Sequence, residues 1–221
     1  LGDVYKRQED AEKILKDVNY FGTMLTYMGI ADGMVSGAIH STGDTVRPAL
    51  QIIKTKPGVS RTSGAFLMIR GRDQERYLFS DCAINVNPTA QELAEIAVDS
   101  AKTAELFDIE PKVSLLSFST KGSAKAPEVT KVAEATKIAQ ELAPEYAIDG
   151  ELQFDASYVS SVAQLKAPNS KVAGEATVFV FPDLQSGNIG YKIAQRLGNF
   201  EAIGPILQGL NKQLFFAIFA F

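Results

Sequence analysis

The chain has 221 residues, 46% of them hydrophobic and 22% charged, enough to bury one large core or two modest ones, which excludes a disordered polypeptide. A net charge of -4 with scattered Lys and Arg leaves no basic stripe for nucleic acid, and one histidine with one cysteine, Cys82, makes neither a zinc site nor an internal disulfide. No apolar run is long enough to span a bilayer and no signal-peptide order is present, so a cytoplasmic, reducing setting without membrane or nucleic-acid partners is expected.

From Glu9 to Gly29 the residues Ala11, Ile14, Leu15, Val18, Phe21, Met24, Leu25 and Met28 recur at spacings of three and four, predicting one amphipathic helix closed by Gly29. A short apolar run, Ala31 to Ser36, leads into a loop, Gly37 to Asp44, rich in small and capping residues. Thr45 to Ile53 reads as a helix with Pro48 in its first turn. Ala65 to Arg70 and Tyr77 to Ser80 are β-rich runs that predict a hairpin. Asn87 and Pro88 are expected to open a helix running to about Phe107.

Pro111 to Phe118 reads as a buried strand, followed by a helix from about Pro127 to Leu142. A short strand around Tyr146 to Leu152, a helix near Val159 to Lys166, the strand-like run Ala176 to Phe181 and a helix from about Ile189 to Leu197 complete the pattern. Strands alternating with helices argue for an α/β fold with a mainly parallel sheet, made mixed by the hairpin. The apolar tail Leu214 to Phe221 is too short to span a bilayer and is expected to be an exposed or poorly packed end. Neither an internal repeat nor a low-complexity segment is found.

In open α/β sheets, ligands gather beyond the carboxyl ends of strands, where loops meet helix N-termini that favour anions. Three loops have that character. In Ser36-Gly-Ala-Ile-His-Ser-Thr-Gly-Asp-Thr-Val-Arg47, hydroxyls and glycines accompany an arginine whose planar fork matches phosphate oxygens. Alternatively, Ser41, Thr42 and Asp44 are caps and Arg47 a surface ion-pair partner. Ser117 to Lys125, with Lys121, Gly122 and Ser123, is similar to a phosphate-binding turn without the P-loop order, and an ordinary solvated loop fits equally. Asp183 to Gly190, with Gly187 and Asn188, precedes Tyr191, Lys192 and Arg196, which a solvated basic helix face would also explain.

His40, the sole histidine, serves either as a structural hydrogen bonder or as a base. Asp149, Glu151 and Asp155 could hold a cation or merely face water. Cys82 reads as a small buried residue, and no Ser-His-Asp set can be assembled. Pattern alone therefore ends at an α/β enzyme with an anion-binding cleft.

Four longer stretches go further. Ala31 to Lys54, Leu116 to Lys125, Asp149 to Phe154 with Asp155, and Val180 to Leu197 closely resemble the phosphate acetyltransferase family, and the likeness runs from about Glu9 to about Lys212. Phosphate butyryltransferases and the acyltransferase-like tail of some malic enzymes are the nearest confusions. The resemblance implies two α/β domains of the isocitrate/isopropylmalate-dehydrogenase-like type around a cleft, in a homodimer. Residues 1–56 and 199–221 would then belong to domain I and 57–198 to domain II.

The resemblance also implies a reaction: coenzyme A thiolate attacks the acetyl phosphate carbonyl directly, with no acyl-enzyme, no cofactor and no metal. Arg47 and Arg196 match two family arginines that hold phosphate. Ser36, His40, Ser41, Thr42, Asp44, Thr45, Lys121, Gly122, Ser123, Gly187, Asn188, Tyr191 and Lys192 are candidate substrate-binding residues beside them. Both ends depart from the family. Residues 1–8 have no recognised counterpart, and 213–221 replace an Asn-Asp-Leu-Ser-Arg-Gly stretch that carries the catalytic serine and leads to the aspartate base. The expectation is a truncated chain with little activity, since a transition-state donor is worth about 10² to 10³ in rate and a general base about 10² to 10⁴. A coenzyme A- or phosphate-binding module without catalysis is the second reading. A decarboxylating dehydrogenase is a third, for which neither a nicotinamide site nor an aspartate pair for a metal is identifiable.

Overall fold

The computed structural model describes residues 2–57, 59–71, 75–211 and 214–216. The first predicted helix is two, α1 (Gly2–Ile14) and α2 (Val18–Tyr27). Asp17 causes the break, because its carboxylate accepts the N–H groups of Asn19 at 2.9 Å and Tyr20 at 3.2 Å and caps a new helix where the apolar spacing runs on. Gly29 ends α2 as expected. It sits at φ +74°, its N–H reaches Thr26 O at 3.1 Å, and Ile30 N reaches Leu25 O at 3.0 Å, a Schellman closure.

After β1 (Val35–Ser36), α3 spans Thr42–Pro48, three residues earlier than predicted, because Ser41 rather than the loop's end supplies the cap. Pro48 therefore closes α3 instead of opening it. The chain continues as a π-helical turn, Ala49–Ile53, with Lys54 N bonded to Ala49 O at 3.1 Å.

The predicted hairpin forms from β2 (Ser63–Arg70) and β3 (Glu75–Ser80), with Phe66 opposite Phe79 and Leu67 opposite Leu78. Helix α4 (Ala90–Leu106) starts at Thr89 rather than Asn87, where Thr89 and Glu92 form a capping box. Then come β4 (Lys112–Leu116), α5 (Pro127–Leu142, proline at its start as expected) and β5 (Ala147–Leu152). A short α6 (Phe154–Tyr158) that the sequence reading lacks precedes α7 (Ser160–Lys166) and β6 (Val178–Val180). Helix α8 is longer than predicted, Leu184–Leu197, because Asp183 caps it and turns the expected loop into helix.

Strand β7 (Glu201–Gln208) was not predicted, since Gly204 and Pro205 in its middle signal a break. It pairs antiparallel with β2 through a register shift opposite Ala65 to Leu67 that absorbs them. Leu214–Phe216 forms β8 between β1 and β7, so the start of the apolar tail is paired, and residues 217–221 lie outside the described residues. The sheet order is β1-β8-β7-β2-β3-β6-β4-β5, with parallel pairs β1/β8, β3/β6, β6/β4 and β4/β5: a mixed, mostly parallel α/β sheet.

Strand alternation divides the core. Ala65, Leu67, Leu78, Val113, Val178 and Val180 face one side with residues of α4 and α5, and Phe66, Met68, Phe79, Phe179 and Phe181 face the other with Tyr191 of α8. Leu207 stands opposite Gly64, and cross-strand partners share a face, so Leu207 lies on the Phe66 side, where it meets Val46, Ala49 and Ile53. Helices α3 and α8, which carry Arg47 and Arg196, thus pack on the same face of the sheet.

A buried amide joins four elements. Gln208 Oε1 accepts the hydroxyls of Ser63 and Ser80 at 2.9 Å and Ser100 at 3.3 Å, while its Nε2 donates to Thr103 Oγ1 at 2.9 Å. Gln208→Leu would leave those hydroxyls without their partner at a cost of about 1–3 kcal/mol. A lower urea midpoint with an unchanged slope is the expected result.

Candidate functional site

The centre of the Phe66 face is organised by a carboxylate. At the end of β3, Asp81, 2% exposed, accepts Gly64 N at 3.0 Å, Ala83 N at 2.9 Å, Ile84 N at 3.1 Å, Asn85 N at 2.8 Å and Asn85 Nδ2 at 2.6 Å. Sequence reasoning passed over Asp81; its signal was an Asp leaving a strand ahead of small residues, the pattern of an Asx turn. Cys82 lies beside it, fully buried, and its thiol is pushed well above its ordinary range, chiefly by burial and further by the Asp81 charge. It is the small core residue predicted.

Against this rigid turn sits α8. Gly187 lets the helix touch it: a Cβ there would fall on the Asp81 carbonyl oxygen. Asn188 Nδ2 donates to Cys82 O at 3.2 Å and its Oδ1 accepts Lys192 Nζ at 2.8 Å, so two of the candidate binders are spent on holding α8 and each other. Tyr191 stacks on Phe66 with centroids 4.1 Å apart, and burial pushes its hydroxyl pKa up while the Arg196 charge opposes that shift. At about 3.6 residues per turn, Gly187, Tyr191 and Ala194 face the sheet, and Arg196 falls beside Ile189 and Ile193 on the outer side. Arg196, Ile189 and Ile193 are all exposed.

On the other side of the turn, Ile84 packs with Val46, Ala49 and Ile53 and seats α3. Ser41 Oγ accepts Asp44 N at 3.2 Å and donates to Asp44 Oδ2 at 2.6 Å, and Thr45, buried, bonds Ser41 O at 3.0 Å. Ser41 is thus the cap, Asp44 its partner, and Thr45 bonds back within the helix. Arg47 reaches Asp44 at 3.5 Å, with both side chains more than half exposed, a pair worth about 0–1 kcal/mol that leaves the guanidinium easily redirected. Ser36 donates to Asn19, and His40 lies half-buried in the loop between β1 and α3.

For the second loop the sequence left a phosphate-binding turn and an ordinary solvated loop both open. Glu151 on β5, 5% exposed, accepts Gly122 N at 2.7 Å and Ser119 Oγ at 3.0 Å. Ser123 Oγ accepts Thr120 N at 3.0 Å, and Lys121 is engaged by Asp149 and by Gly150 O at 2.7 Å. The chain's own carboxylate therefore accepts from the backbone and a hydroxyl of this loop. Nor do Asp149, Glu151 and Asp155 converge on a cation: Asp149 pairs with Lys121, Glu151 turns into the loop, and Asp155 pairs with Lys166 at 2.9 Å. Among the described residues no cluster of His, Cys, Asp and Glu is placed to hold a metal. The third loop is likewise capped, by Asp183 Oδ1 on Ser186 N at 2.8 Å.

Each loop thus turns at least one of its backbone N–H groups to an acceptor of the chain itself, Asp44 N to Ser41, Gly122 N to Glu151 and Ser186 N to Asp183. A cleft of about 710 Å³ runs along the outer strand β5 between Lys121, Asp149 and Lys166 to Val172; neither Arg47 nor Arg196 lines it. Among the described residues no helix is long and apolar enough to cross a membrane.

The two arginine-bearing helices flanking one carboxylate-organised turn can now be set against known proteins. Residues 4–215 match the model of the family described as Phosphate acetyl/butaryl transferase. The chain belongs to that family. It is 69% identical over 204 residues to the phosphate acetyltransferase of Bacillus subtilis (strain 168), covering 92% of this chain and 62% of the relative. It also superposes on a phosphotransacetylase from Streptococcus pyogenes with a TM-score of 0.88 at 73% identity, covering 93% of this chain and 63% of that one. A 4-hydroxythreonine-4-phosphate dehydrogenase from Klebsiella pneumoniae, 12% identical with a TM-score of 0.52 over 90% of this chain, shares the fold alone, consistent with the dehydrogenase-like architecture expected. The chain spans less than two thirds of the length of either of these two relatives.

Proposed function

We propose that the protein containing these residues transfers an acetyl group reversibly between coenzyme A and inorganic phosphate, in cytoplasmic acetate metabolism and as a homodimer. The observation that carries this reading is the match of residues 4–215 to the phosphate acetyl/butaryl transferase family, supported by α3 and α8, the helices of Arg47 and Arg196, packing on one sheet face. Names of relatives at 69–73% identity favour acetyl over butyryl transfer.

In the chemistry proposed, the coenzyme A thiol gives up its proton, its sulfur forms a bond to the acetyl carbonyl carbon, the carbon–oxygen bond to phosphate breaks, and the released inorganic phosphate takes up a proton. Charge grows on the leaving phosphate, so guanidinium groups held over it stabilise the transition state where charge develops.

The test uses the chain extended by the flanking segments of the Bacillus subtilis relative, assayed for thioester formation from acetyl phosphate and coenzyme A. Arg47→Lys and Arg196→Lys each lose the bidentate fork but keep the charge, and each is expected to lower kcat/KM by about 10- to 100-fold, mostly through KM for acetyl phosphate. Unchanged kinetics in both would refute the assignment of these arginines. Calorimetric binding of coenzyme A and phosphate without turnover would instead establish the binding-module reading.

A further inference from the structure

Strand β5 ends the sheet order among the described residues, so its outer side has no neighbouring strand to pair with. On such an edge alternate residues turn both backbone groups outward, and a row of free N–H and C=O groups is a template on which another strand can add. Three of these groups on β5 are instead taken by side chains. Gln140 Nε2, from α5, donates to Ile148 O at 2.8 Å, and Lys121 Nζ, from the loop after β4, donates to Gly150 O at 2.7 Å. The third, Gly150 N, donates to Asp149 Oδ1 at 2.8 Å. Asp149 also pairs with Lys121, which ties the two side chains at Gly150 into one unit.

The edge is not filled in by bulk. The cleft of about 710 Å³ lies along it, lined by Lys121, Gln140 and Asp149 and by Tyr146, Ala147 and Ile148 of the strand and its approach. Lys121 reaches the edge from a backbone conformation that a residue with a Cβ rarely adopts, φ +48°. Strand β5 itself holds it there: Lys121 N donates to Glu151 O at 3.2 Å and Gly122 N to Glu151 Oε1 at 2.7 Å. We propose that Lys121, Asp149 and Gln140 close the β5 edge against strand addition, and that without them two copies of this chain pair β5 to β5 along the cleft. A second copy is the occupant because two identical edges satisfy each other about a two-fold axis and leave no open edge between them. The inference rests on β5 and its side-chain partners and is independent of acetyl transfer.

The test combines Lys121→Ala, Asp149→Ala and Gln140→Ala in the 221-residue chain. One positive and one negative charge are removed together, so the net charge stays at -4 and weakened charge repulsion cannot explain a new association. Sedimentation velocity and amide hydrogen exchange, read by peptide mass spectrometry at a low and a high protein concentration, compare it with the parent. The variant is expected to show a weight-average mass about twice that of the parent. Exchange over residues 147–152 is expected to slow about tenfold or more at the higher concentration, while α8 exchanges as in the parent. Lys121→Arg keeps a donor for Gly150 O and should behave as the parent does. Parental mass with concentration-independent exchange over 147–152 would overturn the proposal, and so would association that protects another part of the chain instead. Should circular dichroism show the triple variant unfolded, Lys121→Ala alone, at a side chain 41% exposed, decides the matter: it is expected to associate in the same way at higher concentration, and parental behaviour there overturns the proposal equally.

Discussion

Replacement of Asp81 by alanine is expected to destabilise the chain by about 3–5 kcal/mol, because it strands buried donors rather than merely deleting a contact. Four backbone N–H groups, from Gly64, Ala83, Ile84 and Asn85, and the Asn85 side chain lose their shared acceptor at once. Those of Gly64 and Asn85 are buried with Asp81, which is 2% exposed, whereas those of Ala83 and Ile84 lie in a partly buried stretch. For a domain of this size a loss of about 3 kcal/mol corresponds to a fall in Tm of roughly 6–12 °C. Asp81→Asn should be milder, because the amide oxygen keeps an acceptor while its NH₂ faces donors. A thermal melt of Asp81→Ala within a degree of the parent would show that the turn is held by something else. Because the turn seats both α3 and α8, its loss should also loosen the two arginine-bearing helices relative to one another.

The second large effect is expected at Gly187, where two opposing terms can be weighed. Alanine is favoured over glycine inside a helix by about 1 kcal/mol. Against that, the new Cβ would meet the Asp81 carbonyl oxygen, with the Asp81 carbon and the Cys82 Cα each at 3.2 Å, all backbone atoms of a turn that the Asp81 carboxylate has already fixed. Overpacking typically costs about 1–3 kcal/mol, and with no flexible side chain to yield, Gly187→Ala should lie beyond the upper end before the propensity gain is credited. The net expectation is a loss of about 2 kcal/mol, or roughly 4–8 °C in Tm. Gly43→Ala is the matched control. It lies in α3 with nothing nearer than Ser41 Oγ at 3.8 Å, so there the propensity gain of about 0.5–1 kcal/mol should appear unopposed. A stabilised Gly187→Ala would mean that α8 does not rest on the turn.

Local chemistry made most elements legible. Pro127 opens α5 and Gly29 closes α2 because a fixed φ and a free positive φ are properties of single residues. The errors also have local causes that a distant partner outvoted. Asp17 divides a continuous apolar spacing because its carboxylate captures two N–H groups. Pro205 conceals β7, which forms because β2 offers a partner and a register shift accommodates the proline. Of the candidate binding residues, Ser41, Asp44, Thr45, Gly187 and Asn188 have structural partners within the chain, while Asp81, whose Asx-turn pattern the sequence reading passed over, organises the turn between α3 and α8.

By itself the sequence determined the family, the α/β class and the two arginines that matter to the proposal, since each depends on residue identity or on spacing along the chain. Tertiary structure alone decided where those arginines stand and what fills the anion-binding loops. Glu151 lies on β5, 29 residues beyond the Gly122 N–H that it accepts, and only the parallel pairing of β4 with β5 brings them together. Hydrogen-bond satisfaction is a global constraint: a backbone donor takes the nearest oxygen in space, and sequence distance does not enter.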